Sequence, residues 1–388
     1  MKDLHAIIIG AGIGGLCTAL ALQRAGYRVS VYEQASELGE VGAGLSLSPN
    51  ANLGLHYLGL KHALAEIGHV PQSFGIKHYQ TAETLVDNTV EMTLENASGA
   101  PYYMVHRADL HALLSAAVLS EDPNCLHLDH DFRTLQQGSG QVTATFSSGV
   151  RAAGDLLIGC DGIRSTVRAE LFGAESPRFT GYIAWRGLVP IERISEKLLP
   201  ESGICIGPGK TITRYLLGKR KLVNYVAVAQ RKGWEIESWA IHSDVAELLE
   251  EFQDFHPSMR DILAATPPES CYKWALFDRD PLPKWSVGHT TLAGDAAHPM
   301  LPFMGQGAVM AIEDAVVLSR CLQASDNLDE ALTRYEQARV ERSTFVMLES
   351  RANIVRLQGA DPDAYNKQSH KNEQRLGLFD YDPGQVAI

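Results

Sequence analysis

Three stretches of this 388-residue chain have residue types suited to dinucleotide chemistry. The first is Gly10-Ala-Gly12-Ile-Gly14-Gly15, between the β-branched run His5–Ile9 and an apolar helical pattern. In such a unit Gly10 permits the turn, Gly12 lets the backbone approach a pyrophosphate, and Gly15 lets helix and strand pack closely. Glu33 closes the next strand, at residues 28–33, where a carboxylate can accept ribose hydroxyls. The second stretch is a buried strand ending in Asp161-Gly162, which by itself reads as a turn dipeptide. The third, residues 291–314, runs from a strand end at Gly294-Asp295 through Pro299 and Pro302 to a helix start at Gly305-Gln306-Gly307. Two prolines this close forbid a continuous helix. The helix start beyond them offers free N–H groups and the positive end of a dipole.

The elements that must position these stretches can be read from periodicity. Strand, helix and strand over residues 5–33 make a βαβ unit. A helix covers residues 107–119, and a small β-meander covers 126–128, 132–135 and 142–146. Strands are expected at 76–80 and 90–94. From about Phe179 the pattern becomes antiparallel β, with strands at 182–189, 204–206, 212–217, 222–229 and 272–277. All five tryptophans lie between Trp185 and Trp285, and an aromatic β lobe suits a flat apolar ligand. A long helix is expected from Leu328 to about Leu357, with much of it a solvated charged face. The fold class is α/β: a Rossmann-like domain, an inserted antiparallel β-sheet lobe and C-terminal helices. The dinucleotide domain takes residues 1–75, 101–178 and 282–327. The lobe takes 76–100 and 179–281, and the C-terminal helical segment 328–388.

Composition narrows the class. Hydrophobic residues make up 45% and charged residues 21%, a globular profile. The net charge of −12 argues against a nucleic-acid or anionic-membrane surface. Six scattered cysteines without a Cys-x-x-Cys pair fit reduced thiols in a cytoplasmic protein, with no metal site. No apolar run reaches membrane-spanning length, and the early first strand leaves no room for a signal peptide.

The three motifs stand in fixed order: GAGIGG with Glu33, CDGIRSTVR at 160–168, and GDAAHPMLPFMGQGAVMAIEDA at 294–315. Together they resemble the single-component FAD-dependent aromatic hydroxylases of the para-hydroxybenzoate hydroxylase fold. The resemblance covers essentially the whole chain. It is strongest to the branch acting on salicylate, 3-hydroxybenzoate, hydroxynicotinate and urate. It implies that Gly10, Gly12, Gly14 and Gly15 hold the FAD pyrophosphate and that Glu33, with Gln34 beside it, holds the adenosine ribose. Arg107 and Phe132 match cofactor-contacting positions. Asp161 and Gly162 match a motif linked to FAD and the nicotinamide nucleotide. Asp295 is implied to bind ribityl or ribose hydroxyls, and Gly305, Gln306, Gly307 and Ala308 to present N–H groups to the flavin N1/O2 edge. Pro299 is implied to lie against the flavin face.

The implied reaction uses NADH or NADPH to reduce the flavin. O2 then adds at C4a, and a hydroxyl passes to an electron-rich ring carbon. A phenol is helped by a base. His298 is either that base or a loop histidine bonded to backbone. Tyr215 and Arg214 share a strand expected to face the flavin, and Arg186 is a second candidate for a substrate carboxylate. The hydroxynicotinate branch carries histidines at the positions matching Ser46 and Phe303. Both are non-basic here, which turns the expectation towards a salicylate- or 3-hydroxybenzoate-like hydroxy acid. The alternatives are a hydroxynicotinate- or urate-like N-heteroaromatic, or a non-oxygenating flavin reductase of the same fold. The expected state is monomer or homodimer.

Overall fold

A computed structural model describes residues 3–39, 43–89, 99–198, 202–231, 241–366 and 372–388. Two sheets organise the chain. The first is parallel and five-stranded, in the order Thr290–Leu292, Leu156–Gly159, His5–Ile9, Arg28–Tyr32 and Leu126–His127. Its two central strands, Leu156–Gly159 and His5–Ile9, are apolar and buried after His5 because both faces are covered, as parallel sheets require. The helix Ile13–Arg24 packs against the helices Gly307–Ala324 and Arg107–Glu121. An antiparallel meander, Phe132–Gly138, Gln141–Phe146 and Arg151–Gly154, packs against the sheet as well. The strand expected to open this meander at residue 126 instead joins the parallel sheet beside Arg28–Tyr32. Its two-residue pairing is too short to carry a period that would have revealed the partner.

The second sheet has eight strands, in the order Ile241–His242, Tyr272–Asp278, Arg178–Pro190, Leu222–Gln230, Lys210–Leu217, Ser202–Gly207, Phe74–His78 and Thr84–Asp87. Side chains alternate across it with period two. One face buries Trp185, Ile212, Tyr225 and Ala227 against the helices Val245–Glu251 and Pro257–Ala264. The other face turns Ala184, Val228 and Trp274 towards Leu301. The strand expected at 90–94 lies outside the described residues, as do Trp234 and Trp239.

The helix Leu328–Leu357 is less solvated than its charge pattern suggests. Tyr335, Arg339 and Ser343 are fully buried. Its side chains hold backbone elsewhere: Ser350 Oγ donates to the Leu301 carbonyl at 2.6 Å, and Asn353 Nδ2 to the Phe303 carbonyl at 2.8 Å. Glu336 accepts from the Trp285 and Ser286 amides. The neutral Ser350 and Asn353 thus hold the loop at 298–305, while the charged Glu336 and Arg339 point inward to other elements. No helix among the described residues is long and apolar enough to cross a membrane.

Candidate active site

The strand ends of the parallel sheet open on a groove built from glycines. Gly10 has φ +101°, and a Cβ there would lie 2.5 Å from the Cys160 carbonyl oxygen, so the turn demands glycine. A Cβ on Gly15 would overlap the Gly10 carbonyl oxygen, so helix and strand touch backbone to backbone. Gly12 differs from both. A Cβ there would meet nothing within 4 Å, and its φ is an ordinary −71°. Its missing side chain leaves space open for a ligand.

Two cavities join along this groove. One, of about 380 Å³, is lined by Gly10, Glu33, Gln34, Phe132, Asp161 and Arg164, among others. The next, of about 280 Å³, is lined by Gly14, Arg107, Gly162, Asp295, Gly305, Gly307 and Ala308. They share Gly12 and Cys160. Glu33 accepts from the Ala11 amide at 2.8 Å, which fixes its carboxylate at the cavity wall. Asp161 accepts from Ser165 Oγ and from the Val167 amide at 3.0 Å, bracing the helix Thr166–Phe172. The Asp295 side chain stands exposed in the groove. The helices Ile13–Arg24 and Gly307–Ala324 both begin at this groove without a side-chain cap. Uncapped N–H groups at two helix starts suit an anionic ligand. Glycine-built space, two positive helix ends and ribose-competent carboxylates together fit an adenine dinucleotide carrying a flavin.

Two of the expected cofactor residues act indirectly. Gly15 packs behind the groove. The buried Gln306 side chain donates to Ser48 Oγ at 3.1 Å and accepts from Asn50 at 3.4 Å, so it braces the helix start. Several wall residues went unnamed in the sequence reading. Tyr32, His130 and Cys160 line the groove only because neighbouring strands and loops meet there.

Beyond the groove lies a cavity of about 200 Å³, sharing Leu45, Pro302 and Gly305 with it. Ser46, Phe303 and Tyr215 line it, together with Tyr102, Thr211, Thr213, Val226, Val228 and Glu373. Thr211, Thr213 and Tyr215 alternate along one strand, so they share a face. Arg214 therefore points the other way, where its Nη1 donates to the Leu198 carbonyl at 2.7 Å. Arg186 is buried with its guanidinium 5.6 Å from the Tyr272 ring and 5.3 Å from the Trp274 ring. Neither arginine lines the cavity, which corrects the expectation that they meet a substrate carboxylate. Because Arg214 is buried away from the cavity and bonded to the Leu198 carbonyl, Arg214→Ala is expected to lower stability and to change KM for aromatic substrates by no more than about twofold. Steady-state kinetics of the purified variant check this.

A smaller cavity of about 90 Å³, lined by Pro299, Trp274 and Leu276, shares Asp295 and Pro302 with the groove. Of the three described tryptophans only Trp274 lines a described cavity. Trp185 belongs to the far core, and Trp285 packs 5.1 Å from the His298 ring.

His298 is not placed to act as a base. It is buried, lines none of these cavities, and bonds through Nε2 to Asp314 at 2.5 Å. Asp314 also accepts from the Gly294 amide at 2.9 Å and from Arg339 Nε at 2.8 Å. His298 thus ties the proline loop to the helix Gly307–Ala324. Its alanine variant is expected to lose about 1–3 kcal/mol of stability and to keep the wild-type pH profile of kcat. A profile shifted without loss of stability would restore the base role. Burial alone would raise the Asp314 carboxyl, but His298 and Arg339 hold it down to about 2. A pKa depressed by folding stabilises the protein above the unfolded value, near 4, and that stabilisation is lost as pH falls through about 2. Acid titration of wild type against Asp314→Asn is expected to show a difference of order 2 kcal/mol in this window.

The groove and the cavity at its end define a flavoprotein site in which a small molecule abuts the cofactor. A family model described as "FAD binding domain" matches residues 3–350. The 6-hydroxynicotinate 3-monooxygenase of Pseudomonas fluorescens is 35% identical over 362 residues, covering 92% of each chain. The 3-hydroxybenzoate 6-hydroxylase of Klebsiella oxytoca is 33% identical, covering 90% of this chain and 88% of the relative. A crystal structure of Klebsiella pneumoniae HpxO complexed with FAD and uric acid is 26% identical, with a TM-score of 0.83 over 97% of this chain and 96% of that one. The chain belongs to the FAD-binding-domain family and, within it, to the FAD-dependent aromatic-ring monooxygenases.

Proposed function

We propose that the protein hydroxylates a small phenolic or N-heteroaromatic ring, using NADH or NADPH as reductant and O2 as co-substrate. The supporting observation is the cavity of Ser46, Tyr215 and Phe303, which opens onto the cofactor groove at Pro302 and Gly305. Bound FAD supplies the oxygen-activating chemistry. The chain's residues do the rest. Gly10, Gly12, Gly14, Arg107 and Gly162 hold the cofactor's phosphates and sugars, with Glu33, Asp161 and Asp295 as hydroxyl acceptors. The N–H groups at Gly305–Ala308 meet its negative edge. A helix start contributes roughly 0.3–2 kcal/mol to a nearby anion. Pro299, Trp274 and Leu276 line the flanking cavity and would exclude water there, which limits wasteful release of reduced O2 as hydrogen peroxide. Tyr215 and Ser46 orient the substrate by hydrogen bonds.

A salicylate- or 3-hydroxybenzoate-like acid would call for a cation beside its carboxylate. No lysine, arginine or histidine stands among the described residues lining the cavity. This favours an uncharged phenol or N-heteroaromatic over the hydroxy acid. A screen of phenols, hydroxyquinolines, hydroxynicotinates and hydroxybenzoates for stimulated NADH and NADPH oxidation, with product masses, tests the reading. Stimulation by at least one ring compound with a gain of one oxygen is expected. Stimulation by none of them would overturn the reading.

A further inference from the structure

The cavity's polar groups are unequal. Ser46, Thr211, Thr213, Tyr102 and Tyr215 are neutral hydroxyls, and Glu373 is the charged-type residue among the described lining. Glu373 lies in a turn near the C-terminal end of the chain, is partly exposed, and is one of the residues lining the cavity. Much of the remaining lining is apolar, including Phe74, Val226, Val228, Phe303 and Leu357. We propose that Glu373 sets the charge of the substrate: the cavity takes an aromatic ring that presents an O–H or N–H donor to this carboxyl, and it rejects ring carboxylates. The proposal rests on the monooxygenase reading above.

The Glu373 carboxyl is held by a hydrogen bond from its own backbone and is otherwise set against a largely apolar lining. A carboxylate enclosed by apolar side chains is costly unless a donor or cation meets it. Desolvation pushes the Glu373 carboxyl up to about 7. The titratable groups facing it are Tyr102 and Tyr365, with Tyr215 beside Tyr102 and with Arg356 and Arg375 near Tyr365. All three phenols are raised, by burial first, so they stay protonated through the neutral range. Glu373 therefore governs the cavity's charge near pH 7. A ligand that donates a hydrogen bond adds to the one the carboxyl accepts from its own backbone. A ligand that brings a second carboxylate meets like charge in a low-dielectric space. No local pattern signals this role, because the segment around residue 373 is polar and weakly patterned.

The test is ligand binding to the FAD-loaded full-length protein, read from the shift in the flavin's visible absorbance. The ligands are 2-aminophenol and 4-hydroxyquinoline against salicylate and 3-hydroxybenzoate, at pH 6 and pH 8. At pH 8 the uncharged ligands are expected to bind at least about tenfold tighter than the acids, the scale of like-charge repulsion across a buried contact. At pH 6, with Glu373 protonated, the preference is expected to narrow. Glu373→Gln is expected to retain FAD, to bring the two ligand sets to within about threefold, and to remove the pH dependence. Acids that bind wild type as tightly as the uncharged ligands at pH 8 would overturn the proposal, as would a Gln variant with unchanged preference. The wild-type pH series decides the question even if the variant does not fold. Failure of the monooxygenase reading looks different: no ligand of either kind would perturb the flavin.

Discussion

Replacing Arg339 with alanine is expected to destabilise the protein by about 3–5 kcal/mol and to release FAD, because it strands buried charge. Arg339 donates from Nη1 to Glu313 at 2.6 Å and from Nε to Asp314 at 2.8 Å, and all three side chains are fully buried. It also donates to the Met310 carbonyl, and its guanidinium lies 5.4 Å from the Tyr381 ring. Glu313 would keep Arg342 and Asn50 as partners. Asp314 would keep His298 and the Gly294 amide. Both of those belong to the loop that carries Asp295 and Pro299, so instability there reaches the cofactor groove directly. Urea unfolding and the flavin-to-protein ratio measure the two effects. A variant within about 1 kcal/mol of wild type that holds full FAD would contradict this account of the network.

Gly15→Ala and Gly12→Ala are expected to fail differently, although both are glycine-to-alanine changes two to five residues from the same turn. At Gly15 the added methyl overlaps the Gly10 carbonyl oxygen. The helix Ile13–Arg24 must then move off its strand, and overpacking of this kind costs about 1–3 kcal/mol or more. At Gly12 the methyl meets no protein atom, and φ −71° suits alanine. The apoprotein should therefore be as stable as wild type, while FAD affinity falls by roughly tenfold or more as the pyrophosphate loses its close approach, about 1.4 kcal/mol per factor of ten. Thermal unfolding of the apoproteins, paired with FAD titration, separates the cases. Equal apoprotein stabilities would overturn the assignment of Gly15 as a packing glycine.

These contrasts show what the chain made legible in advance. The α/β class follows from the apolar run His5–Ile9, the glycine turn and the helix after it, since each local preference there agrees with the final structure. The antiparallel part of the second sheet follows from period-two runs after residue 178, but the parallel pairing of Ser202–Gly207 with Phe74–His78 does not, since no local pattern reports which distant strand is added. Arg214 was a misreading that alternation could have prevented, because Tyr215 and Arg214 cannot face the same side of a strand. For His298 the sequence leaves the base and loop roles both open. Its partner Asp314 is set by how a loop folds onto a helix, and no local pattern reports that. Arg339 looked like a solvated member of a charged helix because burial of an arginine depends on acids supplied by another element. Glu373 lies in a turn without periodicity, so only the assembled cavity places it.

The claim that most needs direct measurement is oxygen transfer to an aromatic ring. The FAD-loaded protein would be given NADH or NADPH, 18O2 and whichever aromatic stimulates oxidation, and the product analysed by mass spectrometry. The account predicts one 18O atom in the ring product and none when the label is supplied as water. A product of unchanged mass under 18O2, formed with full consumption of reductant, would identify a non-oxygenating reductase and contradict it.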